Sequence, residues 1–471
     1  MKRLLTLLLP LALLWSCGEE PAATVGASEN SAPAVITTAP AVTTSGSTAA
    51  VTTVPEAPEP NPSADELVRE ISELLEPGQC SDGNTEEILT YLADTYGTDL
   101  LVALRSRLGE TPYSRDIWYE ITGNSYFVLR DLATGANLQN RRIRLISRGK
   151  PGGENDAITL TFGGDICLAD NYLPMQHMAK NGLSITDCID SRLIAEMQAD
   201  DVTFMNNEFT ISDRGTPMAG KAYTFRAAVK NTALYNTLGV DIVSLANNHA
   251  YDYGKDAFLD TLSALESYGV DAVGGGADLD GAMQPMYYLI NGRKIAYVAA
   301  SRAEKYKMTP EATESSPGIL RCYDTAKFLQ VIREAEANSD FVIACVHWGT
   351  EYSAELEKAQ TSTARDYIDA GADLIVGAHA HQLQGIEYYK GKAIFYNLGN
   401  FWFNDYEIGT GLLKVELLAD GSTRNTFLPA LQKDCVTASV ADTQKGRDIL
   451  SWLVAHSTGV AIAPDGTVTP S

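Results

Sequence analysis

The side chains best equipped for chemistry in this chain stand at the ends of apolar runs. After "ITLTF" come Gly163, Gly164 and Asp165, and after "DVTFM" come Asn206, Asn207 and Glu208. "DIVSLA" is followed by Asn247, Asn248 and His249, "FVIACV" by His347, and "DLIVGA" by His379 and His381. The chain has six histidines and four of them occupy these positions, which chance placement explains poorly. Carboxylate, amide oxygen and imidazole are the borderline-to-hard donors that hold zinc, manganese or iron. One or two divalent ions held there would activate water and clamp a phosphoryl or acyl oxygen. Taken singly, each group has a plainer role. Asp165 could cap a helix, Glu208 could be a solvated loop acid, and His249 could be a satisfied core histidine. His379 and His381 are harder to dismiss, because Gly377, Ala378 and Ala380 would let the backbone approach an ion. Together the five strand-end groups point to a metal centre.

Such a centre needs strands to carry it. From Ile158 onward, short runs rich in β-formers alternate with helical segments, as in "DAFLDTLSALESYG", where Phe258, Leu262 and Leu265 share a face and Gly269 suits a C-terminal stop. Alternation of this kind predicts an α/β fold with a mostly buried, largely parallel sheet. The carboxyl ends of its strands then line one crevice. After Phe403 the pattern becomes hairpin-like, with a turn at Asp420-Gly421, and a last helix is predicted over about 442–456.

The 471 residues are 45% hydrophobic, ample for a large core, and the formal net charge of -24 argues against a nucleic-acid partner. An anionic substrate would have to be drawn in by local cations. Arg302, Lys305 and Lys307, in a long polar loop, are the nearest approach to a cationic patch, though solvation explains them equally. After Cys17 six cysteines remain, none in a CxxC pair and several in apolar runs. They look like small buried hydrophobes more than a disulfide framework.

The N-terminal residues 1–17 have the form of a secretory signal, with Lys2 and Arg3 ahead of a short apolar stretch. Leu14-Trp15-Ser16-Cys17 resembles a bacterial lipobox, which would make Cys17 a lipidated N-terminus on the outer side of a membrane; an ordinary cleaved signal is the alternative. Residues 18–63, rich in Ala, Thr, Pro and Ser, read as a disordered stalk. Residues 64–150 carry helical spacing and form a small, mainly helical region without recognisable chemistry.

The stretches "TFGGDICLAD", "NNEFTISDRGTP", "YTFRA", "DIVSLANNHAYDYG", "VHWGTEY" and "GADLIVGAHAHQ" resemble, in order and spacing, the CapA family of capsule-synthesis proteins. The resemblance covers residues 156–405, with 406–471 as a hairpin and helix completing the domain. It implies a metallophosphatase-like (calcineurin-like) layered sheet sandwich flanked by helices, and a role in poly-γ-glutamate synthesis or export. It further implies that one metal takes Asp165, Glu208 and His381, while a second takes Glu208, Asn248, His347 and His379. His249 would then act as general acid or stabilise developing charge, and Asp252 would either orient His249 or cap the next helix. Arg226 would hold a substrate carboxylate or phosphate, or serve in a structural ion pair. One departure matters: binuclear phosphoesterases begin their site with Asp-x-His, and here Cys167 replaces that His. The implied function is a metal-dependent hydrolase or transferase acting on a γ-glutamyl or phosphoryl group. The alternatives are a non-catalytic accessory that binds the anionic polymer or membrane synthesis proteins, and a secreted phosphoesterase.

Overall fold

The computed structural model describes residues 157–303 and 308–471, together with 142–146 and the four positions Ser125, Phe127, Val128 and Asp131. The signal segment with Cys17, the stalk, most of 64–150, Cys80, Lys305 and Lys307 lie outside the described residues.

The strands that matter here are, in chain order, β1 (Ile143–Ile146), β2 (Ile158–Ile166), β3 (Val202–Asn207), β4 (Ile242–Ser244) and β5 (Asp271–Val273). They continue as β6 (Met286–Ile290), β7 (Arg293–Ser301), β8 (Phe341–Trp348), β9 (Leu374–His379), β10 (Ile386–Tyr389) and β11 (Lys392–Phe395). Last come β12 (Asn400–Trp402), β13 (Ile408–Leu417) and β14 (Thr423–Lys433). Two sheets result. The first has seven strands in the order β1-β6-β7-β8-β9-β11-β10. The second has ten, with β14-β13-β2-β3-β4-β5 at its heart and β12 beside β2. Both are parallel in the middle, through β7-β8-β9-β11 in one and β2-β3-β4-β5 in the other. Both are closed by antiparallel neighbours, β6 on β7 and β13 on β2. The single largely parallel sheet predicted from alternation is therefore two mixed sheets, which gives the layered sandwich.

Alternation along each strand explains the layering. In β8, Phe341, Ile343 and Cys345 face the core shared by the two sheets, while Val342, Ala344, Val346 and Trp348 face an outer layer. That outer layer is completed by Phe328, Val331 and Ile332 of helix α1 (Ala326–Glu336) and by Ala364 and Tyr367 of helix α2 (Lys358–Asp369). On the other side, Met205 and Val243 pack against Leu193 and Met197 from the helix Ser191–Ala199. The order is helix, sheet, sheet, helix. Phe162 and Phe204 of the second sheet meet Tyr297 of the first, with Phe204 stacked on Tyr297 at a centroid distance of 6.2 Å. Fully burying one such ring contributes about 1.5–3 kcal/mol.

Several local expectations hold. "DAFLDTLSALESYG" lies in a helix over Gly254–Ser267 that stops before Gly269, whose φ of 74° is a left-handed conformation. β13 and β14 form the C-terminal hairpin around Gly421, and the last helix runs Gln444–Ala455. Five cysteines among the described residues are free and buried. Ile143–Ile146, inside the span read as mainly helical, is a strand paired in parallel with β6. No helix among the described residues is long and apolar enough to cross a membrane.

Candidate metal centre

The parity that builds the core also builds the site. In β8 the residues 341, 343 and 345 face inward, so His347 does too; in β3 the inward series Val202, Phe204 runs on to Asn206 and then Glu208. Ile242 and Ala246 belong to the same inner cluster, and Asn248 is the next position of that parity. The polar side chains thus collect at the carboxyl-terminal mouth of the seam between the sheets, where each apolar run ends.

Two adaptations let the backbones meet there. A side chain at Gly164 would strike the Gly399 carbonyl at 1.8 Å, and Asp165 N donates to that same carbonyl at 2.9 Å. Gly377 is needed because the Tyr396 carbonyl lies 1.9 Å from where its Cβ would be. Its role is thus close packing against the neighbouring backbone, a different reason from the approach to an ion predicted for it. His379 and His381 have φ of 94° and 55°, conformations that cost a non-glycine residue about 1–3 kcal/mol and persist where surroundings over-determine them.

Asp165, Glu208, Asn248, His347, His379 and His381 come together in one buried cluster. Two groups of ligand atoms lie within 4.8 Å of one another: Glu208 with His379 and His381, and Asp165 with Glu208 and His347. Glu208 is common to both, as a bridging carboxylate would be. The converging atoms group His347 with Asp165 and His379 with His381, and the pairings implied by the resemblance are close as well, with His381 Nδ1 3.6 Å from Asp165 Oδ2 and the His347 and His379 rings 4.6 Å apart. His347 Nε2 lies 2.8 Å from Asn248 Oδ1 and 3.6 Å from Glu208 Oε1; His381 Nε2 lies 3.8 Å from Glu208 Oε1.

The cluster fits a cation. Both oxygens of Glu208 are buried with no hydrogen-bond partner, and His379 Nδ1 is in the same condition. A carboxylate taken out of water without a partner is costly. Burial pushes the Glu208 carboxyl well above the usual carboxylate range, and neighbouring Asp165 and Glu351 push it further. Burial also raises Asp165, against the opposing pull of His381 and a bond from Asn206. It drives His347 and His379 well below the ordinary imidazole value, and the surrounding histidines add to that. Neutral imidazoles are what a divalent ion requires of its ligands, and its charge would hold the crowded acids in their ionised form. Such an ion would lie among these six residues.

Around them sits a layer of orienting bonds. Asn206 Nδ2 donates to Asp165 Oδ1 at 2.7 Å and lies 3.2 Å from His347 Nδ1, while Asn400 Oδ1 is 2.8 Å from His381 Nδ1. Fixing the far nitrogen of a ligating histidine aims the other at the ion. His249 lies at the rim, its ring 4.5 Å from that of Phe225. Its Nδ1 is 2.7 Å from Asp252 Oδ2, which also accepts from Phe225 N at 2.7 Å. Asp252 therefore orients His249 and does not cap the following helix, whose N-cap is Tyr253. The other oxygen of Asp252 pairs with Lys221 Nζ at 2.8 Å, and Lys221 also donates to the Asn248 carbonyl.

Lys221, Asn206 and Asn400 escaped prediction as site residues. Asn206 stands in a stretch already singled out, "NNEF", whereas Asn400, in "NLGNFWF", lies beyond those stretches and a lysine in the polar loop "MAGKAY" gives no sign of burial. Arg226 is not part of the cluster: its guanidinium donates to the Arg214 and Gly215 carbonyls and lies over the Tyr253 ring at 4.5 Å. Cys167 is fully buried in the apolar layer beneath the second sheet, and burial raises its thiol well above its ordinary value. It belongs to neither group of converging ligand atoms.

The chain is similar to proteins named for capsule and polymer synthesis. The chain is 30% identical over 321 residues to the "PGA biosynthesis protein CapA" of Bacillus subtilis (strain 168), covering 67% of this chain and 82% of that protein. It is 29% identical to the "Capsule biosynthesis protein CapA" of Bacillus anthracis, over 53% of this chain and 61% of that one. To a "Probable polyglutamine synthesis accessory protein" of Mycobacterium tuberculosis (strain H37Rv) it is 27% identical, over 54% of this chain and 76% of that one. Among solved structures it matches the 5'-nucleotidase of Candida albicans SC5314 at a TM-score of 0.32 and 12% identity, covering 59% of this chain and 52% of that one. So distant a likeness says nothing of activity. The model of the family described as "Bacterial capsule synthesis protein PGA_cap" matches residues 159–405, the span that carries all six residues of the candidate centre, and the chain belongs to that family.

Proposed function

We propose that this protein serves poly-γ-glutamate capsule synthesis or export at the cell envelope, as a divalent-metal-dependent hydrolase or transferase acting on a γ-glutamyl or phosphoryl group. The observation that carries the catalytic part is Glu208, a buried carboxylate shared by two groups of ligand atoms and left without a hydrogen-bond partner. Bound there, a divalent ion would supply a polarised substrate oxygen and an activated water. The chain's own groups do the rest. A carboxylate can only accept, so His249 donates Nδ1–H to Asp252 and leaves its Nε2 lone pair free. Burial lowers the imidazole despite Asp252, which keeps that nitrogen ready to take a proton and return it. Lys221 fixes Asp252 and, through the Asn248 carbonyl, the neighbouring ligand. Lipid attachment through Cys17, with residues 18–63 as a tether, would hold the domain outside a bacterial membrane.

The test is metal content by mass spectrometry on the purified full chain, with turnover assayed on phosphoesters and on poly-γ-glutamate. We expect bound divalent ion and turnover, and His249→Ala should lose turnover while retaining metal. A chain that binds no divalent ion sinks the proposal. Cys167 favours a second possibility, a metal-holding accessory without turnover, since its sulfur stands where Asp-x-His would place a ligand and belongs to neither group of converging ligand atoms. Bound metal without turnover on either substrate, together with full biological function in His249→Ala, would establish that alternative.

A further inference from the structure

An unanswered positive charge lies on the outer face of the first sheet, behind the metal centre. In β7 the inward series is Ile295, Tyr297 and Ala299, so Ser301 continues toward the seam and Arg302 turns to the outer layer. Its backbone N–H donates to the His347 carbonyl at 2.8 Å, and its guanidinium lies over the Tyr323 ring, 4.7 Å from the centroid. The Nε of Arg302 is buried and has no hydrogen-bond partner. A guanidinium cannot shed its charge, and a donor taken out of water without an acceptor is costly. A second guanidinium, that of the buried Arg321, reaches the same ring at 5.4 Å. Tyr323 itself is 41% exposed, so the cluster opens to solvent.

The charges around that ring do not balance within it. Burial raises the Tyr323 phenol, both arginines pull it back down, and Glu357 pushes it up. Glu357 is committed elsewhere: it accepts from Thr350 Oγ1 at 2.8 Å and caps α2. Stacking on the ring fixes the plane of the Arg302 guanidinium and leaves its edge for two parallel N–H···O bonds. Only an oxyanion answers both that edge and the neighbouring charge of Arg321. We propose that Arg302 and Arg321, gathered on Tyr323, form a binding site for a carboxylate or phosphate group, on the face of the sheet away from the metal ligands. The site does not depend on the metal chemistry, yet it is bonded to the centre's frame. Arg302 N holds the His347 carbonyl, Arg321 donates to the Thr309 carbonyl at 2.9 Å, and Thr309 Oγ1 donates to the Asn248 carbonyl at 2.6 Å. On a chain of formal charge -24, local cations of this kind are what allow an anion to dock.

The experiment titrates the full chain by calorimetry, in EDTA and at fixed ionic strength, with sodium phosphate, with glutarate and with a γ-glutamate decamer. Chelation keeps metal-bound anions out of the signal. We expect saturable binding of at least one of the three below about 10 mM, weakened about ten-fold or more in Arg302→Gln. Whether phosphate or the carboxylates bind more tightly identifies the source of the oxyanion. Arg302→Lys keeps the charge but lacks the fork, and should weaken binding about three-fold or more, which tests the site even if Arg302→Gln does not fold. His379→Ala should bind within about two-fold of the parent, so failure of the metal centre and failure of this site are read separately. No saturable binding of any of the three anions, or parent-like binding by Arg302→Gln or Arg302→Lys, would overturn the proposal.

Discussion

Replacing Glu208 by Gln probes the centre without an assay of activity. The substitution keeps size and shape but removes an acid whose two oxygens are buried without a hydrogen-bond partner. An unsatisfied buried group costs about 1–3 kcal/mol, more when charged. The Gln amide can donate to the adjacent Asp165 carboxylate, whose own charge is part of what makes Glu208 uncomfortable. With chelator present, Glu208→Gln should therefore be more stable than the parent by about 1–3 kcal/mol, a rise of roughly 2–8 °C in melting temperature. Divalent ion must reverse the order. At about one hundred times its dissociation constant an ion stabilises the parent by about 2.7 kcal/mol, while a variant lacking the shared carboxylate gains little. Calorimetry in EDTA and in manganese chloride reads both halves, and the two pairs of curves should cross. If Glu208→Gln is the less stable protein under chelation, or shows the same ion-dependent rise as the parent, Glu208 is not an anion waiting for a cation.

Three other outcomes follow from particular contacts. Lys221→Met leaves Asp252 buried without its ammonium partner, and chelated protein should lose about 3–5 kcal/mol in urea unfolding; a loss under about 1 kcal/mol would show that Lys221 is incidental. Asp252→Asn, which no longer accepts from both His249 and Lys221 as an anion, should lower turnover by about 10²- to 10⁴-fold with metal content unchanged, and normal turnover would remove His249 from the mechanism. Burial raises the Asp241 carboxyl to about 6, so between its unfolded value near 3.9 and about 6 the folded chain holds the extra proton and stability falls as pH rises. Asp241→Asn keeps an acceptor for Thr203 N, 2.8 Å away, and should gain about 1–2 kcal/mol relative to the parent between about pH 4 and pH 7; parallel stability curves would contradict it.

The cluster was legible because its residues break a rule locally. An apolar, β-branched run that ends in Asn-Asn-Glu or His-Ala-His places polar groups where the strand is still buried, and only a ligand resolves that conflict. The alternation of strand and helix was equally plain. The division into two sheets was hidden, because β2 and β8 both begin as short β-forming runs that end in a polar residue, and only their pairing partners differ. β1 was missed because "IRLI" is short and flanked by arginines. Among the described residues it is an edge strand paired only with β6, and it buries Ile143 and leaves Arg144 and Leu145 exposed. Lys221 was invisible for a related reason: its burial is created by Asp252 and Asn248, far along the chain, and leaves no periodic trace. Arg226 was singled out for its chemistry, and the structure shows its guanidinium engaged with two loop carbonyls and the Tyr253 ring.

That His347 continues the parity of Phe341, Ile343 and Cys345 has a consequence for how proteins of this kind can diverge. One residue inserted between Cys345 and His347 would turn the imidazole out toward the helices, and two would carry it about 7 Å along the strand. Either change would strip a donor from the ion at a stroke. Relatives that keep the centre should therefore show no gaps between the last apolar residue of each run and its ligand, and place their length variation in the loops beyond.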